Sequence, residues 1–216
     1  MTDPGPDTRL VGIMVAHPDD ETLWGGGVIL RHPRWRCRIW TLCRASDPDR
    51  APKYRAVLQR LGAEGKMADL DDGPDQHPLP ETDVERTIAQ LAGRERYDLF
   101  ITHAPWGEYT RHLRHNETSR AVTALWSQGE LCARELWMFA YEDGGRAYLP
   151  RAREDADVVE TLPPEVWREK YRIMHEIYGF TADSWEARAT PRVEAFQRFA
   201  APAELPYWSA SMRETR

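Results

Sequence analysis

The stretch LVGIMVAHPDDE, residues 10–21, decides the reading of this chain. Its first seven residues form an unbroken apolar run of strand length, the mark of a strand buried on both faces. The run ends abruptly in four hydrophilic groups, His17, Asp19, Asp20 and Glu21. Beyond them Leu23, Trp24, Val28 and Leu30 fall at helical spacing, which predicts a helix over residues 21–31 in spite of Gly25, Gly26 and Gly27.

Working outward, the same alternation repeats. A strand is predicted over 36–43 and a helix over 52–61, with Tyr54, Val57, Leu58 and Leu61 on one face and Gly62 ending it. A short strand is expected at 67–70. Thr82 and Glu85 form a capping-box pattern ahead of Val84, Ile88 and Leu91, and Gly93 follows. Strands are predicted at 98–103, 135–141 and 158–162. Helices are predicted at 115–126, at 163–178 with Gly179 closing it, and last at 192–199. Strand–helix alternation argues a three-layer α/β/α, Rossmann-like, mostly parallel sheet with small C-terminal helical or strand additions. Such sheets place their sites at the carboxyl ends of the strands.

The 216 residues are expected to form a flexible tail over 1–9 and a single α/β domain over 10–216. With 29 Lys and Arg against 35 Asp and Glu, the formal charge of −6 and the lack of a basic run argue against a nucleic-acid partner. No apolar stretch approaches the length of a membrane span, and the N-terminus lacks a signal-peptide pattern. Cys37, Cys43 and Cys132 are odd in number and without CxxC spacing, which points to a reducing, cytoplasmic location and away from a thiolate zinc site. A homo-oligomer is compatible with this composition, with Trp185 and Trp208 as interface candidates.

The chemistry-bearing residues gather at two strand-to-helix junctions. At the first, the three-residue spacing of His17 and Asp20 can aim an imidazole and a carboxylate at one point, and both are ordinary zinc ligands. Asp19 between them is free to serve as a base, although Asp19 and Asp20 could instead only cap the helix. At the second, His112 and His115 are three apart and follow the strand that ends at His103. One of the pair can complete a metal site while the other acts as an acid.

Val15-Ala16-His17-Pro18-Asp19-Asp20-Glu21-Thr22, backed by Gly25–Gly27, resembles the signature of the PIG-L/LmbE-like family of metal-dependent N-acetylglucosaminyl deacetylases. His112-x-x-His115 resembles that family's second motif, and the order of elements fits over residues 10–180. The resemblance implies that His17, Asp20 and His115 hold zinc, with iron(II) or another divalent ion as alternatives. It implies Asp19 as general base and His112 as the protonated histidine that stabilises the oxyanion or assists the departing amine. The substrate implied is an N-acetylglucosamine-type amino sugar or conjugate, which loses its acetyl group to a metal-activated water. Tyr109 lies one residue further out than the family's tyrosine, and Arg114 stands where an acidic or amide residue is common.

Substrate contacts are expected from Tyr109, from Arg50, Arg44 and Asp72 in loops on the active edge, and from Trp106 as a ring platform. His103 could back the site. Gly25–Gly27 do not match a phosphate-binding loop and are expected to allow close packing. Two other readings remain: an iron(II) facial-triad oxygenase, which normally uses a β-barrel, and a non-catalytic sugar-binding protein of the same fold.

Overall fold

The computed structural model describes residues 8–109 and 112–205. Residues 1–7 of the expected tail, and residues 206–216 with Trp208, lie outside the described residues. Arg9, expected in the tail, is tied to the sheet, because its carbonyl accepts the Arg36 N–H at 2.8 Å.

Seven strands form the central sheet: β1 (Leu10–Val15), β2 (Arg36–Thr41), β3 (Glu64–Met67), β4 (Leu99–Thr102), β5 (Leu136–Phe139), β6 (Val158–Thr161) and β7 (Val193–Phe199). Their spatial order is β6-β7-β5-β4-β1-β2-β3. The pairings from β3 across to β5 are all parallel, and β7 is antiparallel to both β5 and β6. In β1, Val11, Ile13 and Val15 enter one core and Met14 enters the other, so the unbroken apolar run is a strand covered on both faces. β4 does the same with Leu99 and Ile101 against Phe100. A side chain at Gly12 would meet the Phe100 ring at 2.4 Å, which is why this position in the run is a glycine.

Helices α1 (Asp20–Arg31) and α2 (Arg50–Leu61) bury Leu23, Trp24, Val28, Tyr54 and Val57 in the first core. Helices α3 (Glu81–Ala92) and α4 (Leu113–Ser127) bury Val84, Ile88, Val122 and Leu125 in the second. The result is a three-layer α/β/α sandwich. Helix α5 (Pro164–Arg172) packs on α1 and runs into a π-helical turn, Ile173–Ile177, ahead of Gly179 in the left-handed region. Among the described residues no helix is long and apolar enough to cross a membrane.

Three expectations need correction. The terminal helix expected over 192–199 is strand β7. Val193, Phe196 and Phe199 mimic a helical stripe, and the alternation that would mark a strand is masked by a glutamate in the core. Glu194 is fully buried, paired with buried Lys170 at 2.6 Å, and its carboxylate accepts the N–H groups of Gly27 and Val28 at 2.7 and 2.6 Å. A side chain at Gly27 would strike Leu162 at 2.4 Å, so the glycines of α1 let β6 and β7 approach it. The capping box at Thr82 is not used: α3 begins at Glu81, Pro80 precedes it, and no side chain caps it. The short strand expected at 67–70 lies at Glu64–Met67.

Candidate metal centre

β1 and β4 are neighbours from which the chain leaves in opposite directions, to α1 and β2 on one side and through α4 to β5 on the other. Their carboxyl ends therefore flank the topological switch point, where a doubly wound sheet opens a crevice. His17–Asp20 follow β1, and His103, Glu108 and His112 follow β4.

The first turn is held in an unusual shape. Asp19 has φ 128°, a region that costs a non-glycine residue about 1–3 kcal/mol. Its carbonyl accepts from Thr22 and Leu23 at 3.0 and 2.8 Å and starts α1, and its N–H donates to Glu21 Oε2 at 3.1 Å. Glu21 is fully buried and also accepts the hydroxyls of Thr22 and Tyr178. These bonds fix Asp20 as the first residue of α1.

His17 Nδ1, Asp20 Oδ2 and His115 Nε2 form a nearly equilateral triangle. The edges are 3.2 Å from His17 to Asp20, 3.3 Å from His115 to Asp20 and 3.3 Å from His115 to His17. Three lone-pair atoms converging so closely repel one another unless a proton or cation lies among them. Ligands about 2.0–2.1 Å from a tetrahedral ion stand roughly 3.3 Å apart, so the donor set fits a divalent metal of the zinc type. Other donor groups lie nearby, each with its ligand atoms within 4.8 Å: His17 with His112 and His115, Asp20 with His103 and His115, and His17 with Cys43 and Asp72. His103 Nε2 already accepts the Ala16 N–H at 3.0 Å and has no lone pair left for an ion. Burial pushes the Cys43 thiol up to about 12.

Carboxylates stand behind both imidazoles. Glu108 Oε2 lies 2.7 Å from His115 Nδ1 and 3.2 Å from His103 Nδ1. Although burial raises the Glu108 carboxyl, His103 and His115 outweigh it and bring it down to about 2. His17 Nε2 lies 3.2 Å from Asp72 Oδ1, in contact but out of line for a good hydrogen bond. Asp72 is itself gripped by Arg44 Nε and Nη2, at 2.9 and 2.6 Å, and by Gln76 at 3.0 Å. The loop that carries Asp72 is latched by buried Arg114, which donates to the carbonyls of Asp71 and His77 at 2.6 and 2.9 Å and to Glu117 at 2.6 Å.

Asp19 Oδ2 accepts from Arg50 Nη1 at 3.0 Å. Burial and the neighbouring Asp20 push the Asp19 carboxyl well up, against the pull of Arg50. Burial and the imidazoles of His115 and His17 bring His112 down to about 3, which favours its neutral form. His112 Nδ1 is buried with no hydrogen-bond partner among the described residues.

A cavity of about 290 Å³ brings His17, Asp19, Asp20, Arg44, Arg50, Asp72, Tyr109 and His112 together, with Leu23, Trp185 and Glu186. Trp106 is absent from its lining; the ring packs in the second core with the Arg153 guanidinium 5.0 Å from its centre. Trp185, expected at an interface, stands in this cavity. Glu108 and Glu186 escaped the sequence reading, since each is a single acid in a segment without periodicity. His32 stacks on Trp35 at 4.1 Å, and His77 and His175 are exposed, so none of them joins the site.

No family model matches the chain, and no curated protein does. Among solved structures it is similar to a triple mutant of a deacetylase of the teicoplanin biosynthetic pathway, with a TM-score of 0.54 and 15% identity over 78% of this chain and 81% of that one. Two methyltransferases align more loosely. One is the O-methyltransferase of a trans-AT PKS multienzyme from Brevibacillus brevis, at TM-score 0.33, 9% identity, and 96% and 74% coverage of the two chains. The other is coclaurine N-methyltransferase, at TM-score 0.31, 12% identity, and 84% and 57% coverage. At 15% identity the first likeness establishes a shared fold, and the other two carry no argument.

Proposed function

We propose that this protein is a zinc-dependent hydrolase that removes the acetyl group from an N-acetylglucosamine-type amino sugar or conjugate, in the manner of PIG-L/LmbE-like deacetylases. The observation that carries the reading is the donor triangle of His17, Asp20 and His115, with Asp19 unliganded in the same cavity. The deacetylase similarity in fold supports it. The facial-triad alternative was tied to a barrel scaffold, and a doubly wound sheet does not supply one. A small amino-sugar substrate, no nucleic-acid partner and a cytoplasmic location complete the reading; iron(II) or another divalent ion remains an alternative occupant.

A divalent ion in the triangle supplies Lewis-acid polarisation of the amide carbonyl and lowers the pKa of a water. Asp19, raised in pKa by burial and steered by Arg50, accepts a proton from the attacking water. It then returns that proton to the amide nitrogen as the C–N bond breaks, so acetate and a free amine leave. His112, as a neutral imidazole, donates its N–H to the oxygen that gains charge; losing such a donor typically costs about 3–4 kcal/mol. Glu108 and Asp72 keep the two ligand rings turned toward Asp20.

The test is acetate release from a panel of N-acetylglucosamine conjugates by zinc-reconstituted protein, with and without a chelator. Turnover that survives complete metal removal, or no release from any N-acetylated sugar, defeats the proposal.

A further inference from the structure

Trp185 opens the short helix α6 (Trp185–Ala189), and the residue is 38% exposed and lines the cavity. Among the described residues the other exposed large hydrophobic side chains are Tyr148 and Val159, and neither lines that cavity. Trp185 is held firmly. The Tyr109 ring lies 4.7 Å away at 57° and Trp24 lies 6.4 Å away at 64°. Ser184 accepts the Ala187 N–H at 3.2 Å and caps the helix, while Ala187 and Ala189 are buried. A fixed, flat, half-exposed apolar surface in a cavity is a ready contact area for a ligand, because little ordering remains to be done on binding.

Most of the remaining lining is ionic. Arg44 pairs with Asp72 and Arg50 with Asp19, and a guanidinium carries five N–H donors, so both arginines keep donors to spare. A ligand that fits must offer one apolar face and a rim of hydroxyls. A flat aromatic ligand would desolvate these charged groups without giving them partners, which is costly. A pyranose ring meets both demands, with C–H groups on its face and hydroxyls at its edge.

We propose that Trp185 is the platform on which the substrate's pyranose ring stacks, its hydroxyl edge turned to Arg44 and Arg50. The assignment rests on the hydrolase reading for the bond that is cut, and not for the binding of the ring.

The test uses zinc-loaded protein, with methyl N-acetyl-β-glucosaminide as probe and N-cyclohexylacetamide, a ring without hydroxyls, as control. Wild type is compared with Trp185→Ala and with Trp185→Leu, which keeps apolar contact with Tyr109 and Trp24 but has no flat face. Loss of a contact made equally in ground and transition states should raise KM for the glycoside roughly tenfold and leave kcat within about twofold. Saturation transfer by NMR from the protein's aromatic protons to the sugar's ring protons should be strong in wild type and lost in Trp185→Leu. The control should show weak transfer that does not depend on residue 185. Should Trp185→Ala fail to fold, Trp185→Leu decides. Acetate release with KM unchanged in Trp185→Leu overturns the platform and leaves the hydrolase reading standing. Transfer that depends on Trp185 without acetate release from any form upholds the platform and overturns the hydrolase reading. Absence of transfer and of release overturns both.

Discussion

Asp19 and Asp20 are adjacent in sequence, and their surroundings drive them apart. Asp20 faces His115 and His103, which outweigh burial and hold its carboxyl well below the usual range, so it stays ionised. Asp19 faces one guanidinium, and burial with the charge of Asp20 lifts it well above that range. A carboxylate that stays charged suits a ligand, and one that takes up a proton readily suits a base. Asp19→Asn should therefore keep its metal, measured by elemental analysis, while acetate release falls about 10²- to 10⁴-fold. Full turnover in that variant would remove Asp19 from the chemistry. The acids behind the imidazoles make a separate prediction. Glu108→Gln and Asp72→Asn should each weaken zinc binding about 10- to 100-fold, read by competition with a chromophoric chelator. Unchanged affinity in both would mean that the rings are oriented by packing alone. The two candidate pairs, His17 with Asp20 and His112 with His115, were legible because strand-end His and Asp at fixed spacing leave a local mark; the family resemblance alone picked His115 from the second pair. Glu108, seven residues before His115, left none, since only the fold of loop 104–109 turns its carboxylate back onto that ring.

Among the elements, β1, β4 and β5 announced themselves through apolar runs, because strands covered on both faces need them, and β2 through its alternation. β7 did not, and the reason is Glu194. Its carboxylate reaches across to α1, takes two backbone N–H groups and pairs with Lys170 from α5. Three elements thus meet at one buried charge, and the glycines of α1 make the approach possible. The triple glycine was read as a packing device from sequence, but its partner strand was out of reach without coordinates. Lys170→Met should leave that carboxylate buried and uncompensated, at a cost of about 3–5 kcal/mol. Adding Glu194→Gln to it removes the orphaned charge and should recover much of the loss. In urea titrations the midpoint should fall for the single variant and rise again for the double, with slopes unchanged. Equal midpoints for Lys170→Met and wild type would mean that the pair contributes nothing to holding α1.

On the scale of the whole molecule, the candidate ligands come from opposite halves of the switch point. His17 and His115 are 98 residues apart in the chain, and parallel pairing of β1 with β4 brings their junctions to one edge. Local spacing can suggest each half of such a site, but only the strand order joins them. An unfolded chain would have to close that long loop before it could present the three donors, so an ion that fits the triangle binds the folded state almost alone. Binding free energy then adds to stability: about 2.7 kcal/mol at a free zinc concentration 100 times Kd. In a protein of this size about 1 kcal/mol moves Tm by about 2–4 °C, so zinc should raise Tm by roughly 5–11 °C. His115→Ala removes one corner and should abolish most of that increment, whereas Asp19→Asn should preserve it. Differential scanning calorimetry of the three proteins, each with zinc and with chelator, reads this directly. If zinc leaves Tm unmoved in wild type, or moves it as far in His115→Ala, the two halves of the crevice do not share an ion.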